Sequence, residues 1–115
     1  MKSKEAITAL GALASEARLA AFRLLVKRGS AGFTPSQISE RLGVPAPTLS
    51  FHLKELVNAG LIDGRREGRN LYYSPNFERT GALVTFLTEN CCSLADAACG
   101  ADCRPLAAGV PRKNA

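Results

Sequence analysis

The feature that most constrains this chain is the run from Gln37 to Ser74, QISERLGVPAPTLSFHLKELVNAGLIDGRREGRNLYYS, where a helical period gives way to a hairpin. Ile38 and Leu42 stand four apart and mark one buried stripe. Gly43 stops that helix, because it takes the left-handed backbone that helix ends commonly use. The Pro45-Ala46-Pro47 step starts a second helix, where proline's fixed φ suits the first turn and its missing N–H would be unpaired anyway. The apolar stripe of this helix is Leu49, Leu53, Leu56 and Val57. That turns Pro47, Phe51 and Lys54 away from the core, with Thr48, Ser50 and Glu55 to a lesser degree. Asn58-Ala59-Gly60 closes the helix and Leu61-Ile62 opens a strand. The chain then runs through LIDGRREG, reverses near Glu67-Gly68-Arg69 and returns as NLYYS, with Arg65, Arg66 and Arg69 crowding the tip.

Two helices with a tight glycine turn, followed by a glycine- and arginine-rich hairpin, predict a winged helix-turn-helix, a mainly α fold with one small β-hairpin. Its second helix fits a major groove, and its wing reaches the adjacent backbone or minor groove of double-stranded DNA. The candidate DNA-binding residues are Thr48, Ser50, Phe51, His52, Lys54, Arg65, Arg66 and Arg69. His52 lies at the edge of the buried stripe, so it reads equally as a packed helix residue and as a DNA contact.

Upstream, residues 3–13 form a first helix with Ile7, Leu10 and Leu13 on or near one face. Ser15 caps a second helix, EARLAAFRLLVKRG, with Leu19, Phe22, Leu25 and Val26 as its stripe and Lys27-Arg28 near its negative end. Thr34, Pro35 and Gln37 make a capping box that places the third helix at 35–42. Downstream, NFERTGALVTFLTENCC begins a last long helix at Pro75-Asn76, with Phe77, Leu83, Val84, Phe86 and Leu87 on a broad apolar face. That face exceeds what one small domain covers, which implies a homodimer through the first and last helices. The tail RPLAAGVPRKNA has two prolines and no period, and fixed structure is not expected there. The division is therefore 1–92 for DNA binding and dimerisation and 93–115 for a cysteine-bearing segment.

Charge bears on this less than it first suggests. The net charge is +5, yet residues 31–75 carry five basic against four acidic side chains, so the positive charge is local to the wing. No apolar run approaches a membrane span and no signal peptide precedes the first helix, so the expected compartment is the cytoplasm, without a membrane partner. All four cysteines lie between 91 and 103, and in a cytosolic chain such clustering favours metal or redox chemistry over a disulfide framework. Cys-His catalysis would need His52 beside a thiol, and His52 belongs to the groove-facing helix, so an enzyme is not expected.

EARLAAFRLL, QISERLGVPAPTLSFHLKELVNAGLI and RREGRNLYYS together resemble the ArsR/SmtB family of dimeric winged-helix metal and metalloid sensors. The similarity covers about residues 5–90. Its most specific parts are the S-x-H-L step (Ser50, His52, Leu53) and the R-x-G-R-x-x-Y-Y wing. The resemblance implies a repressor that sits on an operator with an imperfect inverted repeat and leaves when it binds its ligand. Members differ in where that ligand binds. A cysteine pair at the start of the DNA-proximal helix would fall near Thr34–Ile38, where this chain has none. A zinc site on the last helix needs Asp and His, and residues 76–90 contain neither. The chain looks like the subset whose arsenic-type site is a vicinal cysteine pair at the end of the last helix, completed by a cysteine further on. The implied ligands are Cys91, Cys92 and Cys99 or Cys103, with As(III) or Sb(III) as inducer.

Thiolates are soft donors that select thiophilic ions. Trivalent arsenic takes three sulfurs in a pyramid, whereas structural zinc wants four in a tetrahedron. Adjacent residues on an intact helix point about 100° apart, so one ion can take both Cys91 and Cys92 only where the helix end frays. Cys99 closes the shorter loop, at slightly lower entropic cost than Cys103. A trivalent organoarsenical bound by two thiolates, cadmium or lead bound by four, and a thiol redox sensor remain alternatives.

Overall fold

The computed structural model describes residues 1–94. Five helices and one hairpin follow in the order α1 (Ser3–Leu13), α2 (Glu16–Arg28), α3 (Pro35–Leu42), α4 (Ala46–Asn58), β1 (Ile62–Glu67), β2 (Asn70–Pro75) and α5 (Phe77–Thr88), with a short 3-10 turn at Gly29–Ala31. The local signals explain most of these boundaries. Ser15 accepts from the Arg18 N–H at the start of α2, and Asn76 does the same for Arg79 at the start of α5. The Thr34 hydroxyl accepts from the Gln37 N–H while the Gln37 side chain accepts from the Thr34 N–H, a reciprocal cap that satisfies two donors the first turn leaves unpaired. Gly43 ends α3 at φ +67°.

The hairpin pairs antiparallel from Ile62 opposite Pro75 to Glu67 opposite Asn70. It is sewn to the helices at its root. The Phe33 and Tyr73 backbones exchange both hydrogen bonds, at 3.0 and 2.8 Å, and the Asn76 N–H reaches the Leu61 carbonyl at 2.8 Å. Gly32 makes the first of these possible. It holds φ +76°, and a Cβ there would stand 2.6 Å from the Tyr73 carbonyl oxygen. Gly32→Ala is expected to lower stability by roughly 2–4 kcal/mol, through clash and left-handed strain combined, read as a fall in the urea midpoint.

Leu25, Ile38, Leu49, Leu56, Leu61 and Ile62 form the centre of one core, continuous with Phe22, Phe33, Leu53 and Leu83. No helix among the described residues is long and apolar enough to cross a membrane. The expected burial needs correcting at several places. On α1 the buried residues are Ala6, Ala9 and Ala12, while Ile7 is 67% exposed and Leu10 also faces out. Small side chains let α1 lie close on the body of the protomer, so its larger residues point the other way. Leu19, Val26 and Val57, placed on core stripes from their spacing, are exposed as well. Leu83 belongs to the protomer core rather than to a spare face, and Phe86 packs partly against that core. The last helix ends at Thr88, short of the cysteines, with Glu89 already extended. Cys99, Cys103 and the tail lie outside the described residues.

Candidate nucleic-acid interface and thiol site

The groove-facing helix is α4. Leu49, Leu53 and Leu56 anchor it in the core, which leaves Pro47, Thr48, Ser50, Phe51 and Lys54 exposed on the opposite side. Ser39 helps to set α3 against α4, since its hydroxyl donates to the Val44 carbonyl in the connecting turn. Phe51 is 57% exposed although it is the largest apolar side chain of the helix.

His52 behaves differently from its neighbours. It is half-buried, and its Nδ1 lies 3.4 Å from Nη1 of Arg18 at the start of α2. Nε of the same guanidinium donates to the Ala12 carbonyl at 2.6 Å. One arginine therefore ties the last turn of α1 to the middle of α4. Arg18 was not singled out from the sequence. Nothing in the run EARLAAF marks it, because its partners lie six and 34 residues away.

The wing arginines also divide. Arg65 stands opposite Tyr72 in the hairpin register, with its guanidinium 5.5 Å from the ring centroid. Nε pairs with Glu67 at 2.6 Å, while Nη1 and Nη2 donate to the Ser30 and Ala31 carbonyls at 3.1 Å each. Arg65 thus braces the hairpin against the α2–α3 connection. Arg66 and Arg69 are exposed and make no hydrogen bond or ion pair with other described residues. Arg28 and Arg41 both place guanidinium groups over Phe33, at 4.9 and 4.8 Å from its centroid, and so cover the buried ring at the hairpin root.

The thiols of Cys91 and Cys92 lie just beyond α5, with their sulfurs 3.4 Å apart and both residues exposed. The backbone explains why adjacent side chains converge. Asn90 and Cys92 adopt left-handed φ values of 61° and 63°, and the Cys91 and Ser93 N–H groups bond back to Thr88 and Asn90 in successive turns. Helical geometry would have splayed the two side chains; this turn does not. Hydrogen bonding with Cys91, together with partial desolvation, raises the Cys92 pKa above the ordinary thiol value. Among the described residues no group of three or more Cys, His, Asp or Glu gathers in metal-binding geometry.

Apolar surface is also uncovered on α1 and α5. Phe77, Val84 and Leu87 of α5 and Ile7 and Leu10 of α1 are exposed, and the two helices are joined by Arg79 and Glu5 at 3.6 Å. The Glu5 carboxylate accepts the Lys2 N–H and faces Arg79, which holds it below the usual carboxylate range.

Comparison with known proteins converges on the same architecture. A helix-turn-helix domain family matches residues 13–65. The chain is 35% identical over 92 residues to the "Probable mercury resistance operon repressor" of Streptomyces lividans, covering 80% of this chain and 69% of that protein. An ArsR-like transcriptional regulator from Rhodococcus sp. RHA1 superposes with a TM-score of 0.68 at 25% identity, over 91% of this chain and 89% of its own. The homodimeric winged helix-turn-helix domain of a Mycobacterium bovis regulator, 22% identical, shares the fold at a TM-score of 0.61 over 84% of this chain and 88% of that one. With its helix order, its hairpin and these relatives, the chain belongs to the ArsR/SmtB family of winged-helix transcriptional repressors, and it is a DNA-binding regulator rather than an enzyme.

Proposed function

We propose that this repressor binds an imperfect inverted repeat in operator DNA as a homodimer. It leaves that DNA when trivalent arsenic or antimony is captured by Cys91 and Cys92, with Cys99, or else Cys103, as third ligand. Residues 1–92 form the DNA-binding and dimerisation unit, and 93–115 carry the remaining thiols. The protein works in the cytoplasm, where operator DNA lies and thiols stay reduced. The observation that carries this reading is the converged thiol pair, 3.4 Å between sulfurs, just beyond a helix that leaves Phe77, Val84 and Leu87 exposed. Two sulfurs so placed suit a thiophilic ion, and a third sulfur would complete the pyramid that trivalent arsenic prefers.

A second reading, a mercury or other soft divalent ion, is favoured by the Streptomyces lividans relative and by the same pair, which suffices for a two-coordinate ion. The test starts from a duplex selected by the protein out of a randomised pool. Anisotropy of that labelled duplex is followed during titration with arsenite, antimonite, methylarsenite, mercury and cadmium in parallel. Release at stoichiometric arsenite or antimonite supports the first reading. Release by mercury alone overturns it in favour of the second, and release by none of them removes both.

The DNA contacts make their own prediction. Thr48, Ser50, Phe51 and Lys54 serve base readout and nearby phosphates. Arg66 and Arg69 serve the backbone, while Arg65 and His52 act chiefly by holding the wing and α4 in place. Arg66→Ala or Arg69→Ala is expected to weaken binding to all duplexes alike. In a dimer each removes two contacts, so the slope of log affinity against log salt should flatten by roughly 2. Wild-type slope and affinity in both variants would rule out the wing as a DNA contact.

A further inference from the structure

The exposed face of α4 has an unusual composition for a helix that reads base edges. Side chains that recognise a purine by two hydrogen bonds are Arg, Lys, Asn and Gln. Arg and Gln are absent from residues 46–58. Asn58 is the last residue of the helix, and it borders Glu5, Thr8 and Arg79 on the side of α1 and α5. It stands two turns beyond Phe51, about 10 Å along the axis, whereas a helix in the major groove reads bases with its N-terminal part. That leaves Lys54 as the one cationic donor of the exposed face.

In place of such donors the face carries hydrocarbon. Phe51 stands out into solvent, Pro47 lies one turn before it, and the methyl-bearing Thr48 lies three residues before it. Residues three and four apart are neighbours on a helix surface, so these side chains form one patch. Among the described residues the one ring contact of Phe51 is with His52, tilted at 60° with centroids 5.8 Å apart. The major groove offers one apolar group, the 5-methyl of thymine. We infer that Phe51, flanked by Pro47 and Thr48, is the specificity-determining residue of α4, and that it reads a thymine methyl in each half-site. This rests on α4 being the helix that enters the major groove.

The experiment removes the methyl and nothing else. The duplex selected from a randomised pool is resynthesised with deoxyuridine in place of each thymidine in turn, and affinities are measured by anisotropy for the wild type and for Phe51→Ala. Uracil keeps every hydrogen bond of thymine, so a loss reports the methyl alone. One thymine per half-site should be sensitive, with wild-type affinity falling roughly fourfold per substitution, the equivalent of burying one methyl group. Phe51→Ala, at an exposed position, should keep the wild-type circular dichroism, bind the parent duplex more weakly, and show no further loss on the uracil duplex. Lys54→Ala should keep the uracil sensitivity. A wild-type scan in which every uracil is tolerated overturns the inference without any variant. Uracil sensitivity that persists in Phe51→Ala overturns it as well, because another group then reads the methyl. A pool that yields no preferred duplex sinks operator recognition itself, and this inference with it.

Discussion

Cys91→Ser and Cys92→Ser are each expected to leave operator affinity unchanged and to abolish release by arsenite, giving a repressor that stays on its DNA. On the proposed reading the two sulfurs, 3.4 Å apart, share one ion, so losing either would remove the chelate that two adjacent donors provide. The chemistry balances without a redox partner. Each As–S bond replaces one As–O bond of arsenous acid, and the thiol proton leaves with the displaced hydroxide as water. On that reading, capture of the ion would fix the turn after Thr88 and, through it, the end of α5. If DNA and ion favour different settings of that helix, each weakens the other by the same factor, and about 1–3 kcal/mol, or 5- to 150-fold, is the usual size of such coupling. Both serine variants should show a factor near one. Cys99→Ser should also lose the response to inorganic arsenite yet keep one to methylarsenite, which has only two exchangeable positions. Release of DNA by arsenite from the Cys91 and Cys92 variants would place the sensor elsewhere.

Proton balance separates this chemistry from that of a divalent ion. The raised Cys92 pKa keeps its thiol protonated at neutral pH. Arsenous acid consumes the thiol protons as water, so arsenite affinity should stay nearly flat from pH 6 to pH 8. Cadmium stays a hydrated cation over this range and expels one proton per thiol, so its affinity should climb by roughly tenfold per pH unit for each thiol it takes. Inducer titrations at three pH values thus separate capture of arsenite from capture of a hydrated divalent cation without a structure of the complex.

Helix positions were readable because capping is local chemistry. Ser15, Thr34 with Gln37, and Gly43 each act within a few residues of themselves, and each stands where the spacing placed it. What the spacing did not settle was which apolar face goes inward. Ile7 and Leu10 have the strongest hydrophobic signal on α1, but Ala6, Ala9 and Ala12 fill the protomer core. Hydrophobicity records burial in whatever the residue ends up against, and it cannot distinguish a core from an interface. The bracing roles of Arg65 and Arg18 were opaque for another reason: His52, Ser30 and Ala31 lie 34 or 35 residues from them and come within reach only once the chain has folded. The cysteine pair was visible as a motif, whereas its geometry depended on a backbone reversal at Asn90 and Cys92 that no period announces.

Leu87→Glu and Ile7→Glu are expected to convert the protein into a folded monomer. Together with Leu10, Phe77 and Val84, these residues make an exposed apolar surface on α1 and α5 of the kind that marks an interface, since soluble monomers rarely leave large patches uncovered. A second copy is the natural occupant on the proposed reading, because two half-sites in an inverted repeat would require two-fold symmetry in the protein. A two-fold interface uses the same patch twice, so one substitution acts twice. The lost burial of two leucine-sized side chains alone comes to about 3–6 kcal/mol per dimer, or two to four orders of magnitude in dissociation constant. Both positions are exposed in the protomer, at 57% and 67%, so the helical circular dichroism should survive. Leu83→Glu makes the contrast: that side chain is buried in the protomer core, and the substitution should unfold the chain rather than split the dimer. Sedimentation at micromolar concentration reads the difference directly. The monomeric variants should also bind the full inverted repeat no better than a single half-site, because the second half-site then has to be met by an independent molecule. A wild-type protein that sediments as a monomer, or a Leu87→Glu variant that remains dimeric with full operator affinity, would remove α1 and α5 as the dimer face and with it the route from the thiol pair to the DNA.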